Sequence, residues 1–242
     1  MGKESSRWYS DRLQRELHLV RWGEVGTPVL LHATAGGDAE ECERFHAIDA
    51  LAPLLEAGRI KVYSLDAIGT RTLLQEEHSR EHAAWVQNRF DDAIYHEVVP
   101  AIRADCRSDD VEIVVAGMSL GAWNALAAVC RHPDVFRAAL CLSGTYDLTR
   151  WMPDEPGEWR FCQPLHFLPR MPEGEHLDAL RRRFVLLAHG TGRWEAPREA
   201  WMVADLLGSK GIPNRVDEWG AEWDHDWVTW RRMLPQYLGE LA

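Results

Sequence analysis

The sequence predicts an α/β fold, a mostly parallel, doubly wound sheet flanked by helices on both faces, and three observations predict it. Short apolar or β-branched runs alternate with longer amphipathic stretches along the chain, as they do in βαβ units. Pro133, Pro197 and the Gly208/Gly211 pair punctuate the amphipathic stretches at their ends, where helices stop or start. The length, 242 residues, allows one large core and is too short for two of ordinary size, so residues 1–242 read as a single domain.

Taken in order, the strand candidates are 17–22, 28–33, 61–66, 111–117, 138–143, 184–190 and 214–219, each a run of four to eight residues rich in Val, Ile, Leu or aromatics. Between them, helical periodicity covers 39–56, 79–104, 120–131, 198–210 and 226–238. The stretch 146–174 fits neither period. It holds Pro153, Pro156, Pro164, Pro169 and Pro172 among several aromatics and reads as an excursion over the sheet edge, a lid or pocket wall.

Composition narrows the function. The 27 basic residues stand against 38 acidic ones, a net charge of −11, which disfavours a sequence-independent grip on nucleic acid or on an anionic membrane. The longest apolar runs, near 113–116 and 184–188, fall far below the ~20 residues of a membrane span. The N-terminus MGKESSRWYSDRLQRELHLV is charged throughout, and the five cysteines are an odd number without a CxxC pair. Both features favour a reducing, cytoplasmic setting.

The sharpest local signal is Gly117-Met118-Ser119-Leu120-Gly121, placed directly after one predicted strand and before one predicted helix. A nucleophile on such a hairpin sits in a strained backbone, and flanking glycines remove the Cβ atoms that would obstruct the turn. The helix that follows starts at the reacting centre, so its unpaired N–H groups face a developing oxyanion. A serine hydroxyl needs a base, and the order in this kind of sheet is Ser, acid, His. Of the histidines after Ser119, only His225 follows the last strand in a loop; His189, which ends a strand, is the reserve, and His132 reads as a helix C-terminal charge. Glu195 is the first carboxylate after the strand at 184–190, with Asp147, Asp217, Asp224 and Asp226 as rivals. Leu120 supplies one oxyanion donor; the second comes from the turn His32-Ala33-Thr34-Ala35-Gly36-Gly37, with Thr34 favoured over Ala33 and Ala35.

With these residues in place the sequence resembles the α/β-hydrolase superfamily, and within it the esterase family that includes S-formylglutathione hydrolases, feruloyl esterases and mycolyltransferase antigens. The resemblance runs from about Leu17 to Leu238. It is most specific in His189-Gly-Thr-Gly-Arg-Trp-Glu195 and in Trp219-Gly-Ala-Glu-Trp-Asp-His225-Asp-Trp. It implies an α/β-hydrolase fold, a Ser119–His225–Glu195 triad and hydrolysis of a small-molecule carboxylic ester through an acyl-enzyme. It implies no cofactor and no metal. The HATAGG turn departs from the family pattern at the second oxyanion donor.

Two other readings stay open: acyl transfer from the same acyl-enzyme to an alcohol or amine, and a catalytically silent binding protein. His78-Ser-Arg-Glu81-His82 matches a zinc-binding spacing, but its polar surroundings favour a solvated helix start. Gly208-Ser-Lys-Gly211 reads as a turn. Among the 12 tryptophans, Trp151, Trp159 and Trp194 are candidates for a substrate pocket, while Trp123 and Trp227, on helices, read as packing.

Overall fold

In the computed structural model, which describes residues 2–153 and 157–242, eight strands form one sheet. They are β1 (Lys3–Ser10), β2 (Arg15–Trp22), β3 (Thr27–His32), β4 (Ile60–Leu65), β5 (Ile113–Met118), β6 (Phe136–Leu142), β7 (Phe184–His189) and β8 (Asn214–Glu218). Their order across the sheet is β1-β2-β4-β3-β5-β6-β7-β8. Strand β2 runs antiparallel to β1 and β4, and every other pairing is parallel. Strand β1 is the one the sequence pattern does not announce. KESSRWYS is polar and largely exposed, and what holds it is an unbroken ladder with β2 from Lys3↔Trp22 to Ser10↔Arg15.

The helices are α1 (Glu41–Arg44), α2 (Ala47–Glu56), α3 (Ile68–Leu74), α4 (Arg80–Ala93), α5 (Val99–Cys106), α6 (Leu120–Arg131), α7 (Pro164–Arg170), α8 (Glu175–Leu180), α9 (Pro197–Ser209) and α10 (Trp227–Leu241). The periodic stretch 39–56 is two helices because His46 takes a left-handed backbone, φ 60°, and breaks the ladder. The stretch 79–104 is nearly continuous, but a π-helical turn at Ile94–Val98 separates α4 from α5. Pro100 lies just beyond it, and widening the preceding turn relieves the clash of a proline ring with the carbonyl four residues back.

Both faces of the sheet are covered, which is why the central strands are continuous apolar runs rather than alternating ones. Within each strand, neighbours go to opposite sides. Leu30, Ile113, Val115, Val185 and Leu187 join the core beneath α4, α6 and α9. Val29, Leu31, Val114, Met118 and Leu186 join the one beneath α2 and α10.

The described parts of the 146–174 stretch are built into the first of these cores. Tyr146, Leu148, Met152, Cys162 and Leu168 are buried there. The Gln163 amide ties it down, accepting from Trp123 Nε1 at 3.1 Å and donating to the Tyr146 carbonyl at 2.9 Å. Residues 154–156, with Pro156, lie outside the described residues. Trp159 needs correcting as a pocket candidate. It is 1% exposed and stacked on Trp123 at 5.4 Å, so its indole fills the core and presents no face to a substrate.

Candidate active site

Strand β5 ends at Met118, and the chain reverses at Ser119 into α6. Ser119 has φ 56° and ψ −124°, a conformation that costs a residue with a side chain about 1–3 kcal/mol. Three hydrogen bonds hold it there. Its N–H donates to Leu142 O at 3.0 Å, and its carbonyl accepts from Ala122 at 3.1 Å and Thr145 at 3.2 Å. The two glycines of the motif are required by close approach: a Cβ on Gly117 would lie 2.1 Å from Gly121 O, and one on Gly121 2.6 Å from Ala33 O. The Leu120 N–H, in the open first turn of α6, has no acceptor among the described residues.

Strand β7 leads into the loop bearing Glu195, and β8 into the loop bearing His225. The two loops are zipped together. Gly192 N–H donates to Trp223 O and His225 N–H to Arg193 O, both at 3.0 Å. Asp224 accepts from the Arg193 N–H at 2.7 Å, from its Nε at 3.1 Å and from its Nη2 at 2.9 Å. A Cβ on Gly190 would stand 1.9 Å from the Trp223 carbonyl. Gly190→Ala therefore forces the loops apart and is expected to lower stability by about 1–3 kcal/mol, read as a lower urea midpoint. An unchanged midpoint would contradict this packing.

At the junction of these loops the Glu195 side chain is 1% exposed and its carboxylate bridges two groups. The Ser143 hydroxyl donates to Oε1 at 2.6 Å, and His225 Nδ1 lies 3.8 Å from Oε2, within ion-pair reach and longer than a hydrogen bond. Such contacts are commonly loose before substrate binds. Trp230 supports both partners. Its Nε1 donates to Ser143 Oγ at 2.9 Å, and its ring packs edge-on against His225 at 5.2 Å. Sequence reasoning missed Ser143 and Trp230. Ser143 follows an apolar strand and Trp230 sits in an amphipathic helix, so neither carries a local signal; only the tertiary fold brings Ser143 to Glu195 and Trp230 to Ser143 and His225.

The rivals are engaged elsewhere. Asp147 accepts from the Thr149 N–H and hydroxyl, Asp217 pairs with Arg215, and Asp226 caps α10 through Val228 and Thr229. Asp224 is the clip described above. His189 is 1% exposed with its Nδ1 on Gly190 O, and His132 pairs with Asp91.

The family model described as "Putative esterase" matches residues 74–241, a span that contains Ser119, Glu195 and His225. The chain belongs to this family. Membership makes it a serine ester hydrolase on an α/β-hydrolase fold. Among the solved structures that match are a ferulic acid esterase, an S-formylglutathione hydrolase from Staphylococcus aureus and the fluorophosphonate-binding serine hydrolase F of the same organism. The first has 17% identity and a TM-score of 0.70, covering 98% of this chain and 96% of that one. The second has 13% and 0.67, covering 98% and 95%. The third has 13% and 0.70, covering 98% and 97%. At these identities the likeness is one of fold. A sequence search of curated proteins returns no significant match.

The remaining expectations divide. Thr34 of the esterase is corrected as an oxyanion donor, because its N–H already donates to Glu41 Oε2 at 2.8 Å and its hydroxyl to Oε1 at 2.6 Å. Trp151 is half-buried against the core with Arg150 over its ring, and Trp194 stands 81% exposed beside Glu195 under Arg193. Three cavities of about 490, 720 and 640 Å³ open around Phe161 instead, and none is lined by Ser119, Glu195 or His225. The His78 and His82 rings lie 4.9 Å apart, tilted by 45°, at a helix start capped by Ser79, and no group of three metal-ligating side chains occurs among the described residues. No helix of the described residues is long and apolar enough to cross a membrane.

Proposed function

We propose that the esterase cleaves a small carboxylic ester through an acyl-enzyme, with Ser119 as nucleophile, His225 as base and Glu195 as the acid that orients it. The observation that carries this reading is the strained Ser119 at the head of α6. Glu195 faces Nδ1 of His225, which leaves Nε2 to take the proton. Ser119 Oγ bonds to the ester carbonyl carbon while its proton passes to Nε2. The oxyanion that forms is held by the Leu120 N–H and a second donor from the 33–36 turn. Collapse breaks the bond to the alcohol oxygen, which leaves with the proton from Nε2. Water then repeats the sequence on the acyl-enzyme and frees Ser119. A reducing, cytoplasmic setting belongs to the same proposal, supported by five free cysteines, four of them buried.

A fluorophosphonate probe tests it. Peptide mass mapping is expected to find the adduct on Ser119, unaffected by chelator and absent from Ser119→Ala. An adduct elsewhere, or none on the folded protein, would overturn the proposal.

A further inference from the structure

The turn after β3 is held from both sides. Beneath it, the carboxylate of Glu41, a residue only 7% exposed, accepts both the N–H and the hydroxyl of Thr34. The turn wraps closely around this carboxylate: a Cβ on Gly37 would lie 2.4 Å from it. From the other side, Arg71 on α3 donates through Nε to Gly36 O at 3.2 Å and through Nη2 to Gly37 O at 3.0 Å, and the Ala67 N–H also reaches Gly37 O at 3.0 Å. A carboxylate and a guanidinium thus fix a five-residue turn beside the nucleophile. One buried charge is spent on orienting two donors of a single threonine.

The carbonyls of this segment tell which N–H groups face α6. A Cβ on Gly121 would meet His32 O at 2.7 Å and Ala33 O at 2.6 Å, so both carbonyls point at the first turn of α6. In a trans peptide the N–H points opposite to the carbonyl, and both of these peptides are trans. The N–H groups of Ala33 and Thr34 therefore point away from α6, Thr34 into Glu41. Ala35 is the first residue beyond them. Its N–H has no acceptor among the described residues, and it packs on the same core cluster as Leu120.

We infer that the N–H of Ala35 is the second oxyanion donor, opposite that of Leu120, and that Glu41 is the positioning residue that turns Thr34 aside and presents Ala35. This rests on the acyl-enzyme reading above. Glu41 touches no reacting atom; it acts through the turn. Its loss leaves substrate binding intact and weakens stabilisation of the tetrahedral intermediate, so the effect falls on kcat rather than KM.

The deciding experiment is the crystal structure of the protein carrying a phosphonate adduct on Ser119. The expected result is a phosphoryl oxygen within hydrogen-bond distance of the N–H groups of Leu120 and Ala35, with the Thr34 N–H still on Glu41. An oxygen bound by Thr34 or Ala33 overturns the inference while leaving the serine reading intact, and failure to form any adduct on Ser119 overturns both. Kinetics provide a second readout. Glu41→Ala is expected to lower kcat about 10²-fold, the scale of one oxyanion donor, with little change in KM. Glu41→Gln, which can still accept from the N–H and pair with the hydroxyl, restores most of it. A folded Glu41→Ala with unaltered kcat overturns the role of Glu41, and if that variant does not fold, the adduct structure decides.

Discussion

His225→Ala is expected to lower kcat for a simple aryl ester by about 10⁴- to 10⁶-fold, while the urea midpoint of unfolding moves little. The kinetic loss is large because nothing else near Ser119 is offered as a base. His189 is buried with its Nδ1 committed to Gly190 O, and His132 is paired with Asp91. The stability effect is small because His225 holds its loop through a backbone bond to Arg193 O, which alanine keeps, and its side chain adds a ring contact to Trp230 and a 3.8 Å approach to Glu195, whose carboxylate keeps the Ser143 hydroxyl. Added imidazole at millimolar concentration should recover part of the rate, since the site left empty is 21% exposed in the native protein. Activity within tenfold of the parent would place the base elsewhere.

The second large effect concerns stability and comes from His32, at the end of β3. Its ring is 2% exposed, and burial pushes its pKa down to about 4, with the charge of Asp91 opposing the shift. Asp91 is itself held by Arg131 and His132. Unfolded, the imidazole titrates near 6.5, so in this window the unfolded chain binds the extra proton. Stability is therefore undiminished by this group above about pH 6.5 and falls as pH drops toward 4, where the loss reaches about 3 kcal/mol. His32→Leu keeps the volume and removes the titration, and His32 Nε2 has no hydrogen-bond partner to lose. Urea unfolding at pH 7, 5.5 and 4 should show the parent losing about 3 kcal/mol more than the variant. Parallel curves would show that burial does not lower the pKa of this ring.

The elbow was legible in the sequence because every requirement on it is local. A strand must precede Ser119, a helix must follow it, and glycines must flank it. All of these lie within 20 residues, and α6 begins and ends at the predicted residues. The proposed partners His225 and Glu195 were singled out by a weaker rule, chain order relative to the last two strands, and the sheet does bring their loops together. The rule says nothing of what surrounds the acid. Ser143, just past β6, and Trp230 on α10 reach Glu195 and His225 only because β6 lies beside β7 and α10 returns across the sheet.

The misreadings have physical causes too. Trp159 sits in a proline-rich stretch that looks like surface from its composition, yet it stacks on Trp123 in the core; whether an indole packs or lines a pocket depends on what lies opposite. Thr34 occupies the expected donor position, but a carboxylate seven residues later takes its N–H. Strand β1 has no apolar pattern because only one edge of it is paired and most of its side chains face solvent.

Fold class, the strained turn at Ser119 and the adjacency of the loops bearing Glu195 and His225 were thus legible in the sequence alone, because strand period, turn chemistry and helix starts depend on neighbours along the chain. Only the tertiary structure decided that Glu41 takes the Thr34 N–H, that the Ser143 hydroxyl donates to Glu195 and which tryptophans are core. Those are questions of direction between segments far apart in sequence, and a hydrogen bond depends on direction over distances of about 3 Å, far finer than any pattern of residue types can specify.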